Sequence, residues 1–380
     1  MTGVNRNQAM QEAMRLMQTG DLLAATQAIQ RGLHGGQNEP APPSASSHRD
    51  GQAEQFIEGC FRHVPDSTGA SPHAPESEDQ HRPDPRGQDD GEFRLHRFIC
   101  DAGAMDYKLF VPSGLDAAPA PVIVMLHGCT QSVDDFALGT RMNGLAQEHG
   151  YVIAYPIQPQ SKNASKCWNW FRSQDQRRGQ GEPGVIAALA RDLVQRHGFD
   201  ARRVYVAGLS AGGAMAAVLG ATYPDVFAAI GVHSGLPFGI ASDLPSAFAA
   251  MKQGGRGTQR SLSPALTDPV PAIVFHGDRD TTVHCGNGAA VIAQCTGLDA
   301  SPSHRQTTVE RGAVPNGRSY TRTMFRDPTG MVVAEQWVVH GAGHAWSGGH
   351  PAGSYTDPRG PDASEQMVRF FSSHRREPRN

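Results

Sequence analysis

From about residue 93 onward, short apolar runs alternate with longer amphipathic stretches. Val122 to Leu126, Val152 to Tyr155, Val204 to Ala207, Ile230 to His233, Ala272 to Phe275 and Val332 to Val339 are rich in β-branched and aromatic residues and too short for helices, so they read as buried strands. Helical patterns lie between and after them, at Leu138 to His149, Val185 to His197, Ala211 to Tyr223 and Ala363 to Ser373. Strands buried on both faces and separated by helices predict an α/β fold, a mostly parallel sheet with helices on both faces. In such sheets chemistry collects at the carboxyl ends of the strands.

The pattern upstream is different. Met10, Met14 and Met17 share one helical face, Thr19-Gly20-Asp21 breaks the chain, and Leu22, Ala25, Ile29 and Leu33 resume it. This predicts an N-terminal helical hairpin over 1–33. Residues 34–92 are rich in Pro, Ser, Gly and charge, with one short apolar patch at Phe56, Ile57, Cys60 and Phe61. Such a segment cannot bury enough apolar area to offset its ordering entropy, so it reads as a disordered linker. The α/β domain is expected over 93–380.

Composition narrows the function classes. The 380 residues carry a formal net charge of −3, which gives no electrostatic reason to bind nucleic acid. No apolar run is long enough to span a membrane. The first residues lack the basic start and apolar core of a Sec signal. The 6 cysteines include no CxxC pair and no HExxH helix occurs, so neither a metal nor another cofactor is expected.

Gly208-Leu209-Ser210-Ala211-Gly212 matches G-x-S-x-G. In a chain with 43 glycines the match alone says little, and its setting says more. It joins the strand at Val204 to the small-residue helix after Ala211, the strand–turn–helix setting of a nucleophile elbow, and Ser210 is the expected nucleophile. An acid and then a histidine should follow in the chain. Asp278 and Asp280 both lie just after the strand Ala272 to Phe275; Asp280 is the first choice and Asp278 its competitor. His344, in Gly341-Ala342-Gly343-His344, follows the strand Val332 to Val339 and is the expected base, with His340 and His350 as rivals. The loop after Leu126, His127-Gly128-Cys129, occupies the oxyanion position, so the backbone N–H groups of Cys129 and Ala211 are the expected donors. Trp168, Trp170 and Trp346 either line a substrate pocket or pack a core.

These segments together resemble poly(3-hydroxybutyrate) depolymerase-type esterases. HGCTQS, Pro156 followed by CWNWF, AGLSAGGAMA, HGDRDTTV and GAGHAWSGG stand in the order found in that family, over roughly Tyr107 to Gly349. The resemblance implies an α/β-hydrolase fold, a Ser210–Asp280–His344 triad, an oxyanion N–H from Cys129, and cofactor-free hydrolysis of poly(3-hydroxybutyrate) or its oligomers. Feruloyl and acetylxylan esterases share the branch and give the alternative substrate. Extracellular relatives pair the cysteines matching Cys129 and Cys167; Cys285 and Cys295 are a further candidate pair. The hairpin and linker resemble those of intracellular relatives, which implies a cytoplasmic, granule-associated enzyme, with export without a Sec signal as the alternative. A non-catalytic fold that docks on granules through the hairpin is the reading from another class.

Overall fold

The computed structural model describes residues 91–115, 119–254, 269–296 and 306–377. The expected hairpin and nearly all of the expected linker lie outside the described residues.

The described chain opens with a hairpin of β1 (Glu92–Cys100) and β2 (Gly103–Val111). Then come β3 (Val122–Leu126), α1 (Val133–Thr140), α2 (Met142–His149) and β4 (Val152–Pro156). The crossovers continue through α3 (Gly181–His197), β5 (Val204–Leu209), α4 (Ala211–Thr222) and β6 (Ala229–His233). After α5 (Leu244–Gln253), β7 (Ala272–Gly277) and α6 (Gly286–Thr296) come three longer strands, β8 (Gln306–Ala313), β9 (Ser319–Arg326) and β10 (Val332–Val339). A short parallel bridge of β11 (Trp346–Ser347) and β12 (Thr356–Asp357) precedes α7 (Ala363–Ser372).

The main sheet has 10 strands in the order β1-β2-β4-β3-β5-β6-β7-β10-β9-β8. Strands β4, β3, β5, β6, β7 and β10 are mutually parallel, and antiparallel strands extend the sheet at both edges. Alternation along each central strand divides the core. Val122, Val124 and Leu126 pack towards α3 to α6, while Ile123 and Met125 pack towards α1, α2 and α7. This is the period-2 consequence of a sheet covered on both faces.

All the expected strands are present. The expected helix Leu138 to His149 is instead two helices, because Arg141 adopts a left-handed conformation (φ 55°) between them. Helix α1 begins earlier than expected, where the Ser132 hydroxyl accepts the Asp135 N–H as an N-cap. Strands β1, β2, β8 and β9 and helices α5 and α6 are additions to the sequence-based picture.

Candidate active site

Ser210 sits between β5 and α4 with φ 58° and ψ −117°, a conformation that side-chain-bearing residues rarely adopt. Its N–H donates to the His233 carbonyl at 2.8 Å, which holds the turn against the end of β6. The glycines of the motif are needed for close approach. A Cβ on Gly212 would lie 2.1 Å from the Leu126 carbonyl oxygen, and one on Gly208 would lie 2.4 Å from the Gly212 carbonyl carbon. Backbone at the end of β3 therefore touches the turn directly, bringing the His127-Gly128-Cys129 loop beside Ser210. Among the described residues neither the Cys129 N–H nor the Ala211 N–H has an acceptor. The Ala211 N–H is also at the first turn of α4, where amides are unsatisfied by the helix itself.

Asp280 and His344 meet at the ends of β7 and β10. His344 Nδ1 lies 2.7 Å from Asp280 Oδ2, with the carboxylate side chain 0% exposed and the imidazole 12%. Asp280 Oδ1 accepts the N–H groups of Thr282 (2.9 Å) and Val283 (2.8 Å), and His276 Nε2 lies 3.4 Å from Oδ2. Burial alone would raise the pKa of this carboxyl. The contacts with His276 and His344 and the Val283 amide outweigh it and hold the carboxylate far below its ordinary range. The structure thus pairs His344 with Asp280 rather than with Asp278. Asp278 instead faces His340 Nδ1 at 2.9 Å and accepts the Gly341 N–H at 2.7 Å. His350 caps its own loop by accepting the Ala352 N–H at Nδ1.

Neither Ser210 Oγ nor His344 Nε2 has a hydrogen-bond partner among the described residues. A nucleophile–base contact commonly tightens only when substrate is engaged. Among the same residues, no group of at least 3 His, Cys, Asp or Glu side chains is arranged to hold a metal ion.

The oxyanion-side loop is fastened from below. Cys129 and Cys167 form a disulfide across a separation of 38 residues, a closure worth about 4 kcal/mol on chain-entropy grounds. Cys285 and Cys295, the other candidate pair, are free thiols. His127 is buried, and its Nδ1–H donates to the Gly128 carbonyl while Nε2 accepts the Gln158 N–H. Burial lowers its pKa to about 4, so the ring is neutral and able to accept. The Gln158 side-chain amide donates to Glu182, which also accepts the Asn169 N–H. Burial raises the Glu182 carboxyl pKa despite these donors.

Of the two readings of the tryptophans, pocket lining and core packing, the burial of all three fits the second. Trp168 and Trp346 are almost wholly buried and Trp170 is 5% exposed. The Trp168 indole N–H donates to the His127 carbonyl and the Trp346 N–H to Ser364 Oγ, so each ring spends its polar edge inside the protein.

His233 was not singled out by sequence. Its carbonyl holds Ser210, and its Nε2 accepts the Ser347 N–H at 2.9 Å, tying the nucleophile turn to the loop carrying His344. The ring stacks between Phe275 and Trp346. Burial lowers its pKa to about 3, which keeps Nε2 an acceptor. No local motif marks this role; the one available signal is its position at the carboxyl end of a central strand.

A parallel sheet with this strand order, a strained serine on the turn after β5, and an Asp–His pair from later strands define an α/β-hydrolase. The chain belongs to the family described as esterase PHB depolymerase, which matches residues 105–311. It is 33% identical over 262 residues to the poly(3-hydroxyalkanoate) depolymerase C of Paucimonas lemoignei, an alignment covering 66% of this chain and 61% of that protein. It is 34% identical over 189 residues to feruloyl esterase B of Thermothelomyces thermophilus, covering 46% of this chain and 64% of the relative. The chain therefore spans somewhat under two thirds of the length of these two relatives. Among solved structures, the acetyl xylan esterase of Aspergillus awamori superposes with a TM-score of 0.59 at 21% identity, covering 74% of this chain and 100% of that one. That likeness concerns the fold.

Proposed function

We propose that this protein is a serine carboxylic ester hydrolase acting on poly(3-hydroxybutyrate) or its oligomers. The observation that carries the reading is the buried Asp280–His344 pair, set across the sheet ends from a strained Ser210. In this reading Ser210 Oγ attacks the ester carbonyl as His344 Nε2 takes its proton. Asp280 holds the tautomer and stabilises the imidazolium, and the N–H groups of Cys129 and Ala211 receive the oxyanion. Collapse of the tetrahedral intermediate expels the alcohol, which takes the proton from His344. Water then attacks the acyl-Ser210 ester with His344 as base, releasing the acid and restoring the serine.

The relatives named feruloyl esterase B and probable acetylxylan esterase A support a second reading, a carbohydrate-ester hydrolase. On location, the Cys129–Cys167 disulfide favours an oxidising compartment over the cytoplasm. No helix among the described residues is long and apolar enough to cross a membrane.

The test is release of 3-hydroxybutyrate by the purified protein from amorphous polymer and from soluble oligomers, with Ser210→Ala as control. Release from polymer that vanishes in Ser210→Ala supports a depolymerase, and release from oligomers alone supports an oligomer hydrolase. Release from neither, with turnover of feruloyl or acetyl esters, moves the assignment to the second reading. Hydrolysis that survives Ser210→Ala removes the nucleophile assignment.

A further inference from the structure

Among the described residues seven non-glycine residues have positive φ; one is Ser210 (58°), and two others, Thr130 (66°) and Tyr355 (52°), meet each other beside the His127-Gly128-Cys129 loop. A left-handed backbone is a real strain for a β-branched or bulky aromatic residue, and such strain persists only where the surroundings over-determine it. Ser210 is explained by the elbow. Tyr355 has no such explanation.

The loop bearing Tyr355 is over-determined from two sides. The Trp346 backbone N–H donates to the Tyr355 carbonyl at 2.6 Å, fastening it to the segment just after His344. Gln131 Nε2 donates to the Ser354 carbonyl (3.1 Å) and lies 3.2 Å from its hydroxyl. The Ser354 N–H donates to Asp135 at 2.8 Å, and the Ser354 hydroxyl also reaches that carboxylate. Gln131 simultaneously accepts the Gly128 N–H at 2.9 Å, so the same side chain sets the oxyanion loop and the Tyr355 loop. These bonds hold the backbone at Ser354 and Tyr355 and none of them involves the Tyr355 ring. The residue is 49% exposed, and its ring makes no aromatic stacking or cation–π contact among the described residues. Its hydroxyl lies 3.4 Å from the Thr130 hydroxyl, one residue beyond the expected oxyanion donor Cys129.

We propose that Tyr355 is a specificity-determining residue that contacts substrate at the oxyanion side of the site. A half-exposed phenol offers an apolar face and a polar tip. The ligand chemistry that matches is an extended ester whose chain alternates C–H faces with oxygen acceptors. A hydroxyalkanoate oligomer and an acylated sugar chain share that chemistry. The inference rests on the serine hydrolase reading of the same site.

The experiment compares wild type with Tyr355→Asn and Tyr355→Phe, using p-nitrophenyl acetate as the small ester. The extended esters are a 3-hydroxybutyrate trimer and an acetylated xylo-oligosaccharide. For Tyr355→Asn, kcat/KM on whichever extended ester the wild type prefers should fall at least about tenfold further than on p-nitrophenyl acetate, mainly through KM. Asparagine tolerates the left-handed region, so the thermal midpoint should hold or rise. The preferred extended ester identifies the source of the ligand. Tyr355→Phe separates the two parts of the contact: retention assigns it to the ring, and loss assigns it to the hydroxyl. Equal losses on small and extended esters with a lowered midpoint would make Tyr355 a structural residue and overturn the proposal. Unchanged selectivity would overturn it too. Failure of the hydrolase reading itself is a separate result, read from Ser210→Ala on p-nitrophenyl acetate.

Discussion

Two aspartate–histidine pairs link the same two loops, two residues apart on one loop and four on the other, and they have opposite characters. Asp280 and His344 are 0% and 12% exposed at 2.7 Å. Asp278 and His340 are 33% and 40% exposed at 2.9 Å. Exposure is the smaller part of the difference. His340 uses both ring nitrogens, Nδ1 on Asp278 and Nε2 on the Thr321 hydroxyl at 2.9 Å. His344 uses only Nδ1, and its Nε2 has no partner among the described residues. A ring with both nitrogens committed is a fastener. A ring held by one nitrogen against a buried carboxylate is oriented and still available for proton transfer.

The comparison is broken or kept most sharply by matched substitutions. Asp280→Asn should lower kcat on a small ester by about 10⁴-fold, because the amide no longer stabilises the reactive tautomer and the imidazolium. His344→Ala should cost at least as much. Stopped-time assays with p-nitrophenyl acetate would measure both. A loss below about tenfold in Asp280→Asn would mean that the buried pair is not the one doing proton transfer.

Burial also distinguishes the site from its surroundings by what it does to neighbouring imidazoles. His127 and His233 are neutral acceptors inside the protein, with pKa values lowered to about 4 and about 3. In the unfolded chain each ring protonates near the ordinary 6.5. Between those limits the unfolded state binds more protons, so stability falls as pH falls. Each ring contributes about 1.4 kcal/mol per pH unit well inside that window, or about 5 kcal/mol together between roughly pH 6 and 4. Thermal melts from pH 7 to 4 should show a steep loss, shallower in His127→Gln measured relative to its own value at pH 7. A flat profile over that range would mean that the two rings are not buried as neutral acceptors. The Asp280 carboxylate contributes in the same direction only at lower pH, because its stabilising share is lost as pH falls below the ordinary carboxyl range.

How much of this was legible in sequence follows from where information is local. The central strands were readable because both faces are buried, as with Val122–Leu126, whose five residues are buried throughout. The edge strands were not. Leu95 and Ile99 in β1 are 63% and 71% exposed, and β8 is solvent-facing almost along its length, so neither carries a hydrophobic signature. Ser210 was readable from a motif whose glycines answer to close backbone contacts, within the turn at Gly208 and against the end of β3 at Gly212. Asp278 and Asp280 were not separable by spacing, since both lie on one loop, and only their partners on another strand distinguish them. His233 and Tyr355 carry roles made entirely by residues distant in sequence, such as Ser347 and Thr130. The tryptophans were ambiguous for a related reason: CWNWF states that the rings are large and apolar, whereas pocket or core depends on what covers them.

The smallest expected effect tests the other half of the comparison. Asp278→Asn removes a half-exposed charge that holds His340 and the Gly341 N–H, at the base of the loop leading to His344. Partly exposed pairs are screened, so the cost in stability should be about 1 kcal/mol, a drop of about 2–4 °C in the thermal midpoint. Asparagine retains an acceptor for Gly341, and the loop is also held by Arg279 N–H to the Ala342 carbonyl at 3.0 Å. The kcat of Asp278→Asn should therefore stay within about threefold of wild type, some three orders of magnitude above Asp280→Asn. If the two substitutions instead proved equally damaging with folding intact, proton transfer would depend on both carboxylates. The distinction between fastener and working pair would then fail.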